Sequence, residues 1–361
     1  MSSSAPPVAE VHPATTEAAT AAETADIIAP EISVASSANS TTDGDASSTY
    51  GTDNENGSLY STESLSSSIY EYRYENGRRY HAYKAGKYML PNDETEQDRL
   101  DIINHVYNLL HEGKLHLAPI DPNPQHILDV GTGTGIWAID CAEKYPSAQV
   151  IGTDLSPIQP SWVPPNVNFQ IDDVEQSWTF NKDHFDLVHI RNLMGGVGNW
   201  GRVIDQCYEH IKPGGWVHIT EYEMAIFSDD GTVTPDLEYF QFYDLVSRAA
   251  IKTGRDYQLA AELEPLLEHS GFTNIVHKAI KCPTGMWPRD KRQKEIGAYL
   301  LLSVESGFEA FGMKPFTEVL GMTEEEAKEF CGKVLQQARN KLIHGYSLHH
   351  VYYAQKPEED C

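Results

Sequence analysis

Apolar residues along the chain gather in short runs, separated by stretches where they recur every three or four positions. The runs lie at Ile127-Leu128-Asp129-Val130, Gln149 to Ser156, Asn168 to Val174, Phe185 to Arg191, Trp216 to Glu221, about Asn274 to Ile280 and Ser347 to Ala354. Each reads as a short strand. Between them the period becomes helical. Leu100, Ile103, Val106, Tyr107 and Leu110 share one face of a helix entered through the turn and N-cap Pro91-Asn92-Asp93-Glu94. A second helix spans about Trp200 to Ile211, where Lys212-Pro213-Gly214-Gly215 is expected to stop it and turn the chain into the next strand. Residues 236–270 read as a helical pair, and 284–344 are mostly helical. This alternation predicts an α/β fold: a mostly parallel seven-stranded sheet, helices on both faces, and a helical cap insertion before the last strand. In such sheets a ligand lies across the carboxyl ends of the strands.

Those ends carry a consistent chemistry. The first strand breaks into Gly131-Thr132-Gly133-Thr134-Gly135 and re-emerges as a helix, the pattern of a nucleotide-cofactor loop. A dinucleotide loop reads G-x-G-x-x-G, but here Ile136 holds the sixth position and Gly135 comes one residue early. Asp129, two residues before the first glycine, would repel a pyrophosphate and attract an ammonium group. The second strand ends in Asp154-Leu155, whose carboxylate can accept from both ribose hydroxyls and disfavours a 2'-phosphate. The third ends in Asp172-Asp173-Val174, where a carboxylate can accept from the exocyclic amine of adenine and the following N–H faces a ring nitrogen. An amine, a ribose and an adenine together point to S-adenosyl-L-methionine.

With these stations in place, the chain resembles class I S-adenosylmethionine-dependent methyltransferases, through D-x-G-x-G-T-G, the ribose acid, D-D-V and K-P-G-G. More narrowly, it resembles the fungal LaeA-like (UMTA-type) group. The residues that carry this are Glu75-Asn76-Gly77-Arg78-Arg79-Tyr80-His81, Leu90-Pro91-Asn92-Asp93-Glu94, Arg99-Leu100-Asp101-Ile102, Gly135-Ile136-Trp137-Ala138-Ile139 and Asp154-Leu155-Ser156-Pro157-Ile158-Gln159-Pro160. The likeness covers roughly residues 70 to 357. It implies a Rossmann-like fold and a cofactor held by Asp129, Gly131, Gly133, Asp154 and Asp173. Thr132, Gly135, Leu155, Val174 and Arg191 complete the expected cofactor set. Members of the group act in regulation of fungal secondary metabolism and development, associating with velvet-type regulatory proteins, or in natural-product tailoring. Regulatory members commonly carry a cysteine in the glycine loop, where this chain has Val130-Gly131-Thr132-Gly133, so no thiol role transfers.

Composition narrows the setting. The chain has 361 residues and a net charge of -26. Residues 1–72 contain eleven acids and no lysine or arginine, amid runs of Ser, Thr and Ala. Such a segment cannot bury enough apolar surface to offset its backbone entropy and is expected to be disordered, a possible flexible docking arm. The expected division is an acidic tail over 1–69, an N-terminal cap-helix region over 70–122, a cofactor-binding core over 123–283, a helical substrate cap over 284–344, and the final strand over 345–361. The charge disfavours direct nucleic-acid binding, since no basic face is available to neutralise phosphates. The densest basic run, Arg289-Asp290-Lys291-Arg292-Gln293-Lys294, reads as a solvated helix start. No apolar stretch has the length of a membrane span or a signal core, which points to an intracellular protein of the nucleus or cytoplasm. Five scattered cysteines without C-x-x-C fit a reducing compartment and give no zinc pattern, so no metal is expected. His349-His350 lies in a strand, which sends the two rings to opposite faces in ordinary packing.

Tyr72, Tyr74, Tyr80, Tyr83 and Tyr88 alternate with polar and basic residues and are candidates to close over the sulfonium by cation-π contact, or simply to pack. The insertion over 284–344 is the expected seat of substrate choice. Methyl transfer needs positioning and exclusion of water more than a base. If a base acts, His189 is the leading candidate and His218 the next, while Arg191 and Asn192 are placed to meet the cofactor's methionine end or the acceptor. No N-P-P-Y or cysteine-nucleophile pattern follows the fourth strand. Three roles stay open: a regulatory methyltransferase, an N- or O-methyltransferase tailoring a natural product, and a cofactor-binding interaction module without turnover.

Overall fold

Seven strands form one sheet, and the order in which they pair brings the acidic strand ends together. The computed structural model describes residues 72–81 and 88–358. The acidic N-terminal tail, Tyr83 and Cys361 lie outside the described residues. A short antiparallel hairpin, β1 (Arg73–Glu75) and β2 (Arg78–Tyr80), precedes helix α1 (Glu94–Leu110). The core then alternates β3 (His126–Val130), α2 (Ile136–Lys144), β4 (Gln149–Asp154), β5 (Val167–Ile171), β6 (Phe185–Arg191), α3 (Trp200–His210) and β7 (Ile211–Tyr222). After α4 (Glu238–Lys252) and α5 (Glu264–Ser270) come β8 (Thr273–Pro283), α6 (Lys291–Lys314), α7 (Glu324–Ala338) and β9 (Tyr346–Gln355). A π-helical turn at Pro315–Val319 joins α6 to α7.

The sheet order is β5-β4-β3-β6-β7-β9-β8. The first five strands are parallel, and β9 runs antiparallel to both of its neighbours. The α6–α7 insertion falls between the last two strands, as the helical spacing of residues 284–344 predicts. Side chains alternate between the two faces of a strand. Thus Ile127, Leu187 and Trp216 pack in the layer of Trp137 and Cys141, whereas Leu128, Val188 and Val217 pack in the layer of α3 and α4. Asp129, His189 and His218 follow two residues later in the first row, side by side on β3, β6 and β7.

Lys212-Pro213-Gly214-Gly215 acts otherwise than expected. Helix α3 already ends at His210, and Ile211 takes up extended backbone and pairs with Phe185. The four residues then bulge before Trp216 resumes pairing opposite Leu187. Gly214 has φ +78, a conformation that L side chains rarely adopt.

The hairpin and α1 are pinned by charge. Arg78 donates from Nε and Nη2 to Asp93 at 2.6 and 2.8 Å, and Asp93 is the N-cap that accepts from Glu96 N at 3.0 Å. At the other end, Arg292 of α6 donates to the carbonyls of Leu109 at 3.1 and 2.8 Å and of Leu110 at 3.1 Å. The basic run is therefore not merely solvated, because Arg292 caps α1. Among the described residues, no helix is long and apolar enough to cross a membrane, and no cluster of three potential metal ligands occurs. His349 and His350 are both buried on β9, with His349 beside Tyr107 and His350 bonded to His277.

Candidate active site

The first glycine turn is folded back onto the neighbouring strand. The N–H groups of Gly131 and Thr132 both donate to Thr153 O, at 2.8 and 2.9 Å, and Gly133 N donates to the Asp154 carboxylate at 2.8 Å. Gly131 has φ +71, and a Cβ there would come within 2.6 Å of Leu193 Cδ1. Two residues that the motif search did not assign to the site complete the turn. Gln159 donates to Gly133 O at 2.6 Å, and Thr134 donates to Asp101 of α1 at 2.7 Å. Their only sequence signal was membership of the flanking motifs.

A crevice opens over these strand ends. Asp129, Gly131, Thr132, Gly133, Asp154, Leu155, Asp173, Val174, His189 and Arg191 all line it, together with Tyr88, Leu100, Ile103, Ile158 and Asn192. Gly135, expected in the cofactor set, does not. It is the left-handed N-cap of α2, and a Cβ there would lie 2.3 Å from Phe169 Cζ, so its smallness lets the helix start against β5. Of the tyrosines expected near the sulfonium, only Tyr88 lines the crevice among the described residues. Tyr74 is exposed, Tyr80 lies under the Lys314 ammonium at 4.5 Å, and Tyr72 lies under Arg79 at 4.7 Å.

The electrostatics of the crevice suit a ligand with one positive group and several donors. Asp129 is 3% exposed and accepts from Thr132 Oγ at 2.6 Å and from His189 Nδ1 at 2.7 Å. Asp154 accepts only backbone N–H groups, from Gly133 and Ser156, both at 2.8 Å. Burial pushes each carboxyl up to about 6. Among the described residues, neither is ion-paired with a lysine or arginine, so both retain capacity for a ligand's ammonium or hydroxyl hydrogens. Asp173, 2% exposed, holds the turn after β5 by accepting from Glu175 N at 3.1 Å. This set fits S-adenosylmethionine: Asp129 for the amine, Asp154 for the ribose, Asp173 and Val174 for the adenine.

His189 is not placed as a base. Its Nδ1–H is committed to Asp129, and its ring lies flat on Trp137 at 3.7 Å and 2°. The His218 ring stacks against it at 5.5 Å, and among the described residues the buried Nε2 of His189 has no partner. Burial pushes its pKa well below the ordinary value. It positions Asp129. His218 is likewise buried and depressed, with no partner at either nitrogen among the described residues.

A second cavity adjoins the crevice, and the two share Tyr88, Leu100, Ile103 and Asn192. Its walls are aromatic: Tyr107 from α1, Tyr222 from β7, Phe242 and Tyr243 from α4, Tyr257, and Phe308 and Phe311 from α6. The insertion thus supplies one wall through α6. Helices α1 and α4 supply others, which the sequence reading did not assign. At the junction, the Tyr107 hydroxyl donates to Asn192 Oδ1, and the Arg191 guanidinium lies 5.0 Å over the Tyr107 ring while donating to Asn104 at 2.8 Å. Asn192 has φ +56, and the turn it begins is held by Glu221, which accepts from Leu193 N and Met194 N at 2.6 and 3.1 Å. Glu221 is fully buried, and burial pushes it up to about 8.

A family model described as a methyltransferase domain matches residues 102–277. Methyltransferase pytC of Aspergillus terreus is 44% identical over 287 residues, spanning 79% of this chain and 88% of its own. The secondary metabolism regulator LAE1 of Cochliobolus heterostrophus is 38% identical over 291 residues, 79% of this chain and 95% of its own. The regulator laeA of Aspergillus fumigatus is 36% identical over 285 residues, 78% and 76%. These relationships agree with the glycine turn, the three acidic strand ends and the strand order: the chain belongs to the LaeA-like class I methyltransferases, enzymes whose cofactor is S-adenosyl-L-methionine.

Proposed function

We propose that the enzyme methylates a small, largely apolar acceptor in fungal secondary metabolism. One observation carries this reading: the aromatic cavity under α1, α4 and α6 adjoins the cofactor crevice, with Tyr88, Leu100, Ile103 and Asn192 lining both. A cavity roofed by helices suits a compact molecule better than an extended protein segment, which needs an open groove. S-adenosylmethionine, when bound, supplies a methyl group already activated by positive sulfur. The protein's task is then to orient the acceptor and keep water out. Tyr88, Leu100 and Ile103 form the apolar boundary between cofactor and acceptor. The one histidine lining the cavity among the described residues, His349, is pushed by burial down to about 3, too weak a base to drive the reaction at neutral pH. The test is to incubate the purified protein with methyl-labelled cofactor and a fungal extract split into small molecules and protein. Label in a small molecule supports the reading; label confined to protein overturns it.

A second reading, regulation of secondary metabolism, is favoured by the names of the LAE1 and laeA relatives, and it would extend to development. It would add velvet-type partners, a nuclear location and a docking role for the acidic N-terminal segment. Gene deletion separates the two. Loss of one methyl group from one metabolite marks tailoring, whereas loss of many unrelated metabolites marks regulation.

A further inference from the structure

Resting on the small-molecule reading, we propose that the aromatic cavity is built for a neutral, oxygen-bearing aromatic or polycyclic acceptor, whose oxygens are read by Arg99, Ser303 and His349. The wall is mostly aromatic and aliphatic, with Asn192, Ser347 and several tyrosine hydroxyls as its other polar groups. Arg99 is 7% exposed and lines the cavity, with its guanidinium 5.3 Å from the centre of the Phe311 ring. Two of its edges are spent on Glu96, Nε at 2.9 Å and Nη2 at 2.6 Å. Among the described residues, Nη1 has no hydrogen-bond partner. Ser303 on α6 is 1% exposed, and among the described residues its Oγ is buried without a partner. His349 on β9 uses Nε2 on Ser347 Oγ at 3.2 Å, while among the described residues its Nδ1 is buried without a partner. Among the described residues, α6 and β9 thus each present one buried, unsatisfied polar atom around a cavity whose wall also holds Arg99 of α1.

Buried polar atoms left unpaired are costly and uncommon, so two around one cavity, beside the unused edge of Arg99, mark ligand contacts. Their charge state selects the ligand. Glu96, 1% exposed, already neutralises Arg99 within α1, so the cavity offers a directed N–H but no net positive charge. A carboxylate would bring an uncompensated charge into this enclosure. A pure hydrocarbon would leave all three atoms unpaired. A ketone, ester or hydroxyl oxygen satisfies Arg99 at no charge penalty, and its aromatic frame packs against Phe242, Phe308 and Phe311.

The experiment uses the full chain saturated with S-adenosylhomocysteine and three matched probes, acetylnaphthalene, ethylnaphthalene and naphthoate, with binding measured by calorimetry. Acetylnaphthalene is expected to bind about ten-fold tighter than ethylnaphthalene, with naphthoate weakest. In the double variant Glu96→Gln/Arg99→Met, the first preference should fall below about three-fold while S-adenosylhomocysteine binds as before, which reports an intact fold. Ser303→Ala removes one oxygen only, should weaken acetylnaphthalene by several-fold, and carries the test if the double variant does not fold. Tightest binding by naphthoate, or an unchanged oxygen preference in either variant, overturns the proposal. If none of the probes binds while S-adenosylhomocysteine does, the small-molecule reading fails and takes this inference with it.

Discussion

His189 donates Nδ1–H to Asp129 at 2.7 Å while its ring lies flat on Trp137. The pair lies side by side in neighbouring strands, so the imidazole fixes the orientation of the carboxylate expected to meet the cofactor's amine. Replacing the ring should therefore damage binding rather than chemistry. For His189→Phe we expect the dissociation constant for S-adenosylmethionine to rise about ten-fold, with kcat at saturating cofactor within about three-fold of the native value. A general base would instead lose about 100-fold or more in kcat, and the pH profile would change with it. Steady-state kinetics at several cofactor concentrations decides between these outcomes.

Asp129 and Asp154 both sit near 6 in the ligand-free protein because burial disfavours their charge. A ligand bringing a positive amine and hydroxyl donors favours the ionised forms, so binding near pH 6 should release protons. Calorimetry in two buffers of different ionisation enthalpy measures that release, and affinity should weaken as pH falls through about 6. Proton uptake, or binding independent of pH between about 5 and 7, would contradict the assignment. The sign for stability is opposite. Both folded pKa values are raised, so their contribution to the ligand-free fold is full below about 4 and is lost as pH rises through 6.

Glu221 extends the same logic to alkaline pH. Its carboxyl is raised to about 8 by complete burial, despite accepting two backbone hydrogen bonds. Its stabilising contribution is present below its ordinary value and is lost as pH rises through 8. Glu221→Gln removes the titration while keeping one acceptor oxygen. Between pH 6 and about 9, the native protein's melting temperature should fall further than that of the variant, as thermal unfolding across the range will show.

Arg292 should matter more than a surface basic residue usually does. It supplies three hydrogen bonds to the last carbonyls of α1, the helix that carries Leu100 and Ile103 between crevice and cavity. Arg292→Ala is expected to cost about 1 to 2 kcal/mol in denaturant unfolding. Arg292→Lys should recover only part of this, because an ammonium cannot span two carbonyls as the guanidinium fork does. Equal stability of the Ala and native chains would show the cap to be dispensable.

Much of the site was legible along the chain. Asp129, Asp154 and Asp173 each fall at the end of an apolar run, and the glycine spacing already separates this loop from a dinucleotide turn. Those are local signals: a strand stops, a turn needs left-handed backbone, and the next residue is an acid. Gly135 shows the limit of such signals. In the motif it looks like its two companions, and only the approach of Phe169 reveals that it serves helix packing.

By itself, then, the sequence determined the alternation of strands and helices, the acidic strand ends and the glycine turn, because each depends on residues a few positions apart. Tertiary structure alone decided that His189 holds Asp129 and that Gln159 and Asp101 brace the turn. It also decided that α1, α4, α6 and β9 enclose one aromatic cavity with Arg99, Ser303 and His349 in its wall. Strand register and helix packing bring together residues tens to hundreds of positions apart, and no local period records which of them will meet.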